Sequence, residues 1–128
     1  MSEQETKQSI AFKDGLNAPT KLLGVENNLT AHAGGTQATA LLLDVTKSVH
    51  NVTTVASVAD SLRLPLANGS LSLHLIKNSA ATNSLQVFGS GTDTIDGVAT
   101  ATGVAIAAGK ARMCIDVAPG LWISLLGA

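Results

Sequence analysis

The chain has 128 residues, 45% of them hydrophobic and only 13% charged, and its 8 Lys+Arg against 9 Asp+Glu leave a formal net charge of -1. That length suits one domain rather than two with separate cores. A charge content well under the roughly 25% of soluble domains excludes an acidic disordered chain, and near-neutrality with few aromatics denies nucleic acid both a basic field and stacking platforms.

Large side chains are scarce: there are 2 Phe, 1 Trp, 2 Met and no Tyr. Burial stabilises by roughly 25 cal/mol per Å² of apolar surface, so an alanine-rich core is weak and neighbouring subunits are expected to supplement it. The lone Cys114 forms no disulfide within the chain, so no covalent staple is expected. The opening MSEQETKQSI lacks the positive-then-apolar order of a signal peptide, and export by that route is not expected. Val98 to Ala108, broken by Thr100, Thr102 and Gly103, is too short for the ~20 residues of a membrane helix, so no membrane partner is expected.

In chain order, residues 1–30 read as an extended, irregular N-terminal arm and residues 31–128 as a β domain. Residues 1–28 hold seven charged side chains (Glu3, Glu5, Lys7, Lys13, Asp14, Lys21, Glu26). Ile10, Phe12, Leu16, Leu22, Leu23 and Val25 keep no sustained period, and Gly15, Pro19 and Gly24 would interrupt a helix. The arm is expected to order against another surface, with Ile10, Phe12, Leu16, Leu22 and Leu23 as its contact residues. His32 to Gln37, HAGGTQ, reads as a flexible joint.

Beyond it, short aliphatic and β-branched runs alternate with Gly, Asn, Asp and Pro at the spacing of an all-β protein, a small antiparallel β-sandwich or barrel. The expected strands are Val52 to Ala56, Ser61 to Leu64 ending at Pro65, Leu71 to Leu75, Leu85 to Phe88, one beginning at Val104 and Ile106, Ala111 to Val117, and Leu121 to Leu125. Leu71, Leu73 and Leu75 share a face that is expected to be buried, with Ser72 and His74 on the polar side. Leu71 to Leu75 with Leu85 to Phe88, and Val104 to Ile106 with Ala111 to Val117, are expected to form hairpins. Pro119-Gly120 turns the chain into the last strand.

Few residues carry chemistry. Gly89-Ser90-Gly91-Thr92-Asp93-Thr94-Ile95 resembles part of a calcium-binding nonapeptide repeat, but a single copy supplies half a cage, and Phe88 stands where the first glycine belongs. A tight strand-to-strand turn, with local Asp93 and Asp96 hydrogen bonds and left-handed glycines, is the expected reading instead. Cys114 with His32, His50 or His74 and an aspartate has the residue types of a thiol nucleophile, whereas a mid-strand cysteine is ordinarily a small hydrophobe. The three histidines match no local zinc pattern, although a symmetric oligomer could gather one of them at its axis. Asp93 and Asp96 as a glycosidase pair would lack aromatic platforms. Trp122 reads either as the main packing residue of the last strand or as an interface anchor. No metal, cofactor or catalytic residue is expected.

The runs His32-Ala33-Gly34-Gly35-Thr36-Gln37-Ala38, Val52-Thr53-Thr54-Val55-Ala56 and Asp60-Ser61-Leu62-Arg63-Leu64-Pro65 together resemble small structural proteins of tailed bacteriophages. Leu75-Ile76-Lys77-Asn78 leading to Asn83-Ser84-Leu85-Gln86-Val87-Phe88 looks like their I-x-N … N-x-L-x-V-F hairpin, and Asp93-Thr94-Ile95-Asp96-Gly97-Val98 like their GDTINGV turn, with Asp96 in place of Asn. Gly103 to Ala111 and Gly120-Leu121-Trp122 also match. The likeness covers Leu29 to the C-terminus. It implies a capsid decoration, or cement, protein, commonly trimeric, that bridges capsomers on the outside of the head without catalysis. Its partners would be the major capsid protein and further copies of itself, its place the virion surface, and Ile10, Phe12, Leu16, Leu22, Leu23 and Trp122 the capsid or subunit interface. The alternative is a head-fibre or tail-fibre module that binds a host receptor.

Overall fold

A computed structural model describes residues 23–127 of the protein. They form ten strands and a single 3-10 turn at Gln37–Thr39. The strands are β1 (Val25–Thr30), β2 (Leu41–Leu42), β3 (Val49–Thr54), β4 (Ser61–Arg63), β5 (Leu73–Asn78), β6 (Leu85–Phe88), β7 (Thr94–Ile95), β8 (Val104–Ile106), β9 (Ala111–Ala118) and β10 (Leu121–Leu126). The expected all-β class is what the described residues adopt.

The chain steps back and forth between a six-stranded sheet, in the order β1-β3-β5-β9-β10-β7, and a four-stranded sheet, β2-β4-β6-β8. Each of β1 to β4 therefore meets, as its neighbour, the strand two places on, and the pairing is parallel: Val25 with Val49, Val49 with Leu75, Leu41 with Leu62, Leu62 with Val87. The path is β-solenoid-like. After β6 it reverses, and β8, β9 and β10 pair antiparallel with β6, β5 and β9.

The pairing is thus mixed, and two expected hairpins do not form. β5 and β6 lie in different sheets, as do β8 and β9. Each connection carries the chain across the core to the opposite layer instead of folding it back on its neighbour. The turn at Pro119-Gly120 does join β9 to β10, with Gly120 at φ 80°. Val25–Thr30, assigned to the irregular arm, is a strand that pairs with β3.

The core lies between the sheets. Val52, Ile76, Cys114 and Trp122 of the larger meet Leu62, Leu85, Val87 and Ile106 of the smaller, all at 1% exposure or less. Side chains alternate in β5 and β9, and in β5 the direction is the reverse of that expected. His74, Ile76 and Asn78 face inward on β5, and Cys114 and Asp116 on β9, while Leu71, Met113 and Val117 are exposed. His74, expected on the polar side, is 2% exposed.

Buried aspartates fasten the loops. Asp116 accepts hydrogen bonds from the backbone N–H of Asn68, Ser70 and Ser72 and from the Ser70 hydroxyl. Asp60 accepts from Gly34 and Ser57, and the Ser61 hydroxyl donates to the Gly34 carbonyl at 2.7 Å, so the HAGGTQ segment is pinned to β4. A buried carboxylate needs such donors, since desolvation without them costs several kcal/mol.

Candidate functional site: an apolar sheet face over a buried histidine pair

Side chains that alternation turns away from the core form two rows across β5, β9 and β10. Leu73, Ile115 and Ile123 stand opposite one another, as do Leu75, Met113 and Leu125. Ile123 is 49% exposed and Leu125 70%. A shallow hollow of about 110 Å³ lies among Leu75, Ala111, Met113, Leu125 and Gly127. No charged side chain belongs to either row. Lys77, next along β5, sends its ammonium aside to the Gly109 carbonyl. Isolated exposed aliphatics are ordinary on protein surfaces, but a contiguous uncharged patch marks a contact surface.

On the inner side of the same sheet, three titratable side chains from three successive coils join in line. Glu26 Oε1 lies 2.7 Å from His50 Nδ1, and His50 Nε2 lies 2.8 Å from His74 Nδ1. The carboxylate only accepts, so His50 Nδ1 donates to it. The Nε2 of neutral His50 then accepts from the Nδ1–H of His74. Burial lowers the pKa of both histidines; Glu26 opposes the fall for His50, and the charge of His50 adds to it for His74, which reaches about 4. The pair is neutral near pH 7. His74 meets the Trp122 ring edge-on, with centroids 5.6 Å apart, and borders a small hollow with Leu23, Lys47 and Ser72.

Structure places the other candidates as follows. Trp122 is 1% exposed and packs in the core, the first of the two roles weighed for it rather than an exposed anchor. Leu23 is 50% exposed at the start of the described chain. Ile10, Phe12, Leu16 and Leu22 lie outside the described residues. Cys114 pairs with His74 across β5 and β9, but the thiol is fully buried and burial pushes its pKa up to about 12. Thiolate chemistry needs the opposite environment.

Asp93 and Asp96 serve separate places. Asp93 Oδ2 accepts from the Ala67 N–H at 2.7 Å and Asp96 Oδ1 from the Ser124 N–H at 2.7 Å. These bonds reach across the fold instead of closing the local turn that was expected. Gly91 and Gly97 do take positive φ, as does Asp96 itself. Among the described residues no group of three or more His, Cys, Asp or Glu side chains could hold a metal ion. His50 and His74 are buried, so neither could meet its symmetry copies at an axis.

Neither the apolar face nor the histidine chain was found by reading the sequence. For the chain a signal existed: Glu26, His50 and His74 are each separated by 24 residues, which is one coil of the fold. No family model, curated protein or solved structure matches the chain.

Proposed function

We propose that the protein is a non-enzymatic structural component of a tailed-phage virion, a decoration protein that binds the outside of the head and bridges neighbouring capsomers. The observation that carries this reading is the uncharged face of Leu73, Ile115, Ile123, Leu75, Met113 and Leu125, which suits contact between copies of the chain. Sheet faces pack about 10 Å apart when their side chains are apolar and flat enough to interdigitate. A trimer built this way would present three shell-binding surfaces at once, and linked weak contacts bind far more tightly than single ones. The two sheets then act as a compact, sandwich-like wedge between capsomers, with the major capsid protein as partner.

Buried chemistry supports the same reading. The thiol, the two inner histidines and Asp60, Asp93 and Asp116 are buried and engaged in packing or in holding loops, and the exposed Asp96 is bonded to Ser124.

Light scattering of the purified protein, followed by co-sedimentation with heads that lack it, tests the proposal. A trimer that pellets with the heads is expected. A monomer that stays in the supernatant would overturn it in favour of the fibre module that binds a host receptor.

A further inference from the structure

Arg63 ends β4 and stands between Leu42 of β2 and Phe88 of β6 in the cross-strand register. Its neighbours Leu62 and Leu64 are fully buried in the core, so alternation turns the Arg63 side chain to the outer side of the smaller sheet. There the guanidinium has no hydrogen bond or ion pair among the described residues, and its Nε is buried without a partner. Buried donors are ordinarily satisfied, and arginine cannot shed its charge to escape the penalty.

The side chain opens on a groove of about 840 Å³ whose apolar walls include Leu42, Val45, Pro65 and Leu66. Leu42, Val45 and Leu66 are 51%, 61% and 67% exposed. Asp44 also borders the groove but makes no ion pair with Arg63; its Oδ1 accepts instead from the Thr46 N–H at 2.9 Å and the Thr46 hydroxyl at 2.7 Å. β2 is the outer strand of its sheet, so one edge has no strand beside it among the described residues. None of these residues belongs to the apolar rows of the larger sheet.

The geometry points to this groove as a docking site for an extended acidic segment of a partner protein, a carboxylate flanked by aliphatic side chains. Arg63 receives the carboxylate, for which its planar fork offers paired donors. Leu42, Val45 and Leu66 take the aliphatic groups, and the edge of β2 that no described strand covers admits an extended backbone. That the segment comes from a capsid subunit rests on the reading above; the recognition chemistry does not.

A library of random dodecapeptides displayed on filamentous phage, panned against the full-length protein, is the direct test. Enriched peptides are expected to carry Asp or Glu within a few positions of Leu, Ile or Val. They should bind about tenfold more weakly to Arg63→Gln and to Leu66→Asp, the loss expected when one charge-assisted contact is removed or internally satisfied. Leu66 is exposed, so the second variant keeps the fold even if the first does not. No enrichment, enrichment without acids, or equal binding to Leu66→Asp would overturn the assignment. Co-sedimentation with heads separates the two ideas. Protein that binds the peptides but ignores heads supports the groove and removes the decoration reading, whereas heads that bind Leu66→Asp as well as wild type remove the groove as the shell contact.

Discussion

His50 Nε2 and His74 Nδ1 lie 2.8 Å apart inside the larger sheet, and the bond between them needs one lone pair and one proton. Burial lowers both pKa values from the ordinary histidine value of about 6.5, that of His74 to about 4. Below about 6.5 the unfolded chain therefore takes up protons that the folded pair refuses. Stability is complete above that pH and declines as pH falls from there toward 4. Glu26 contacts His50 directly, and Asp44 and Asp116 act on the pair at longer range. Thermal unfolding between pH 7 and 5 is expected to show Tm falling in the wild type and a shallower fall in His74→Gln. Identical slopes would remove the pair as the cause.

Leu125 and Ile123 are exposed on β10, and charge placed there should act on assembly rather than on folding. Ile123→Lys with Leu125→Lys is expected to yield monomers by light scattering, with an unfolding free energy within about 0.5 kcal/mol per site of the isolated wild-type subunit. Retained oligomers in the double variant would mean that another surface joins the copies.

Asp116 is 1% exposed and holds three backbone N–H groups and one hydroxyl. Asp116→Ala leaves those donors unpaired and is expected to cost about 3–5 kcal/mol in denaturant unfolding. Asp116→Asn retains one acceptor oxygen and should lose less. A cost below about 1 kcal/mol for the alanine variant would show that water replaces the carboxylate.

Gly103 and Gly97 both have positive φ, at 65° and 77°, but their surroundings differ. A Cβ on Gly103 would meet the Val87 carbonyl oxygen at 2.3 Å and Phe88 Cδ1 at 2.9 Å, whereas one on Gly97 would meet nothing within 4 Å. Gly97→Ala should cost only the backbone strain, about 1 kcal/mol. Gly103→Ala should exceed it by at least about 1–2 kcal/mol, because backbone and ring must both move. Comparable losses at the two sites would contradict the close approach.

Cys114 makes a rapid check on the core. With the thiol buried and its pKa near 12, alkylation by iodoacetamide at pH 8 should be slow in the folded protein and fast in denaturant. Prompt labelling of the native protein would mean that β9 opens readily.

Local signals carried much of the fold. β6 was legible in the sequence with its observed limits, β10 to within one residue, and β8 by its start at Val104. Partner and face were not. Connections such as residues 55–60 are nearly as short as hairpin loops, so nothing in their length told a crossing between sheets from a return to the same one. The inward face was misread because alternation gives a period and no direction: Leu73 and Leu75 outweigh Ser72 and His74 in hydrophobicity, yet His74 finds a partner inside and the leucines lie outward. The groove at Arg63 had no local sequence mark, since its walls come from the segments around residues 42–45, 63–68 and 90–91.

The reversal after β6 gives the body one finished end. β9 runs antiparallel to β5 and β8 to β6, so the run of parallel coils stops there, and a further coil of the same kind belongs among β1 to β6. Insertion of a whole coil, about 24–26 residues by the spacing of Val25, Val49 and Leu75, would add one strand to each sheet and extend the body by about 4.8 Å while leaving Asp116 and its loop untouched. Reach across a surface is therefore adjustable in steps of one strand, independently of the end that carries the apolar rows.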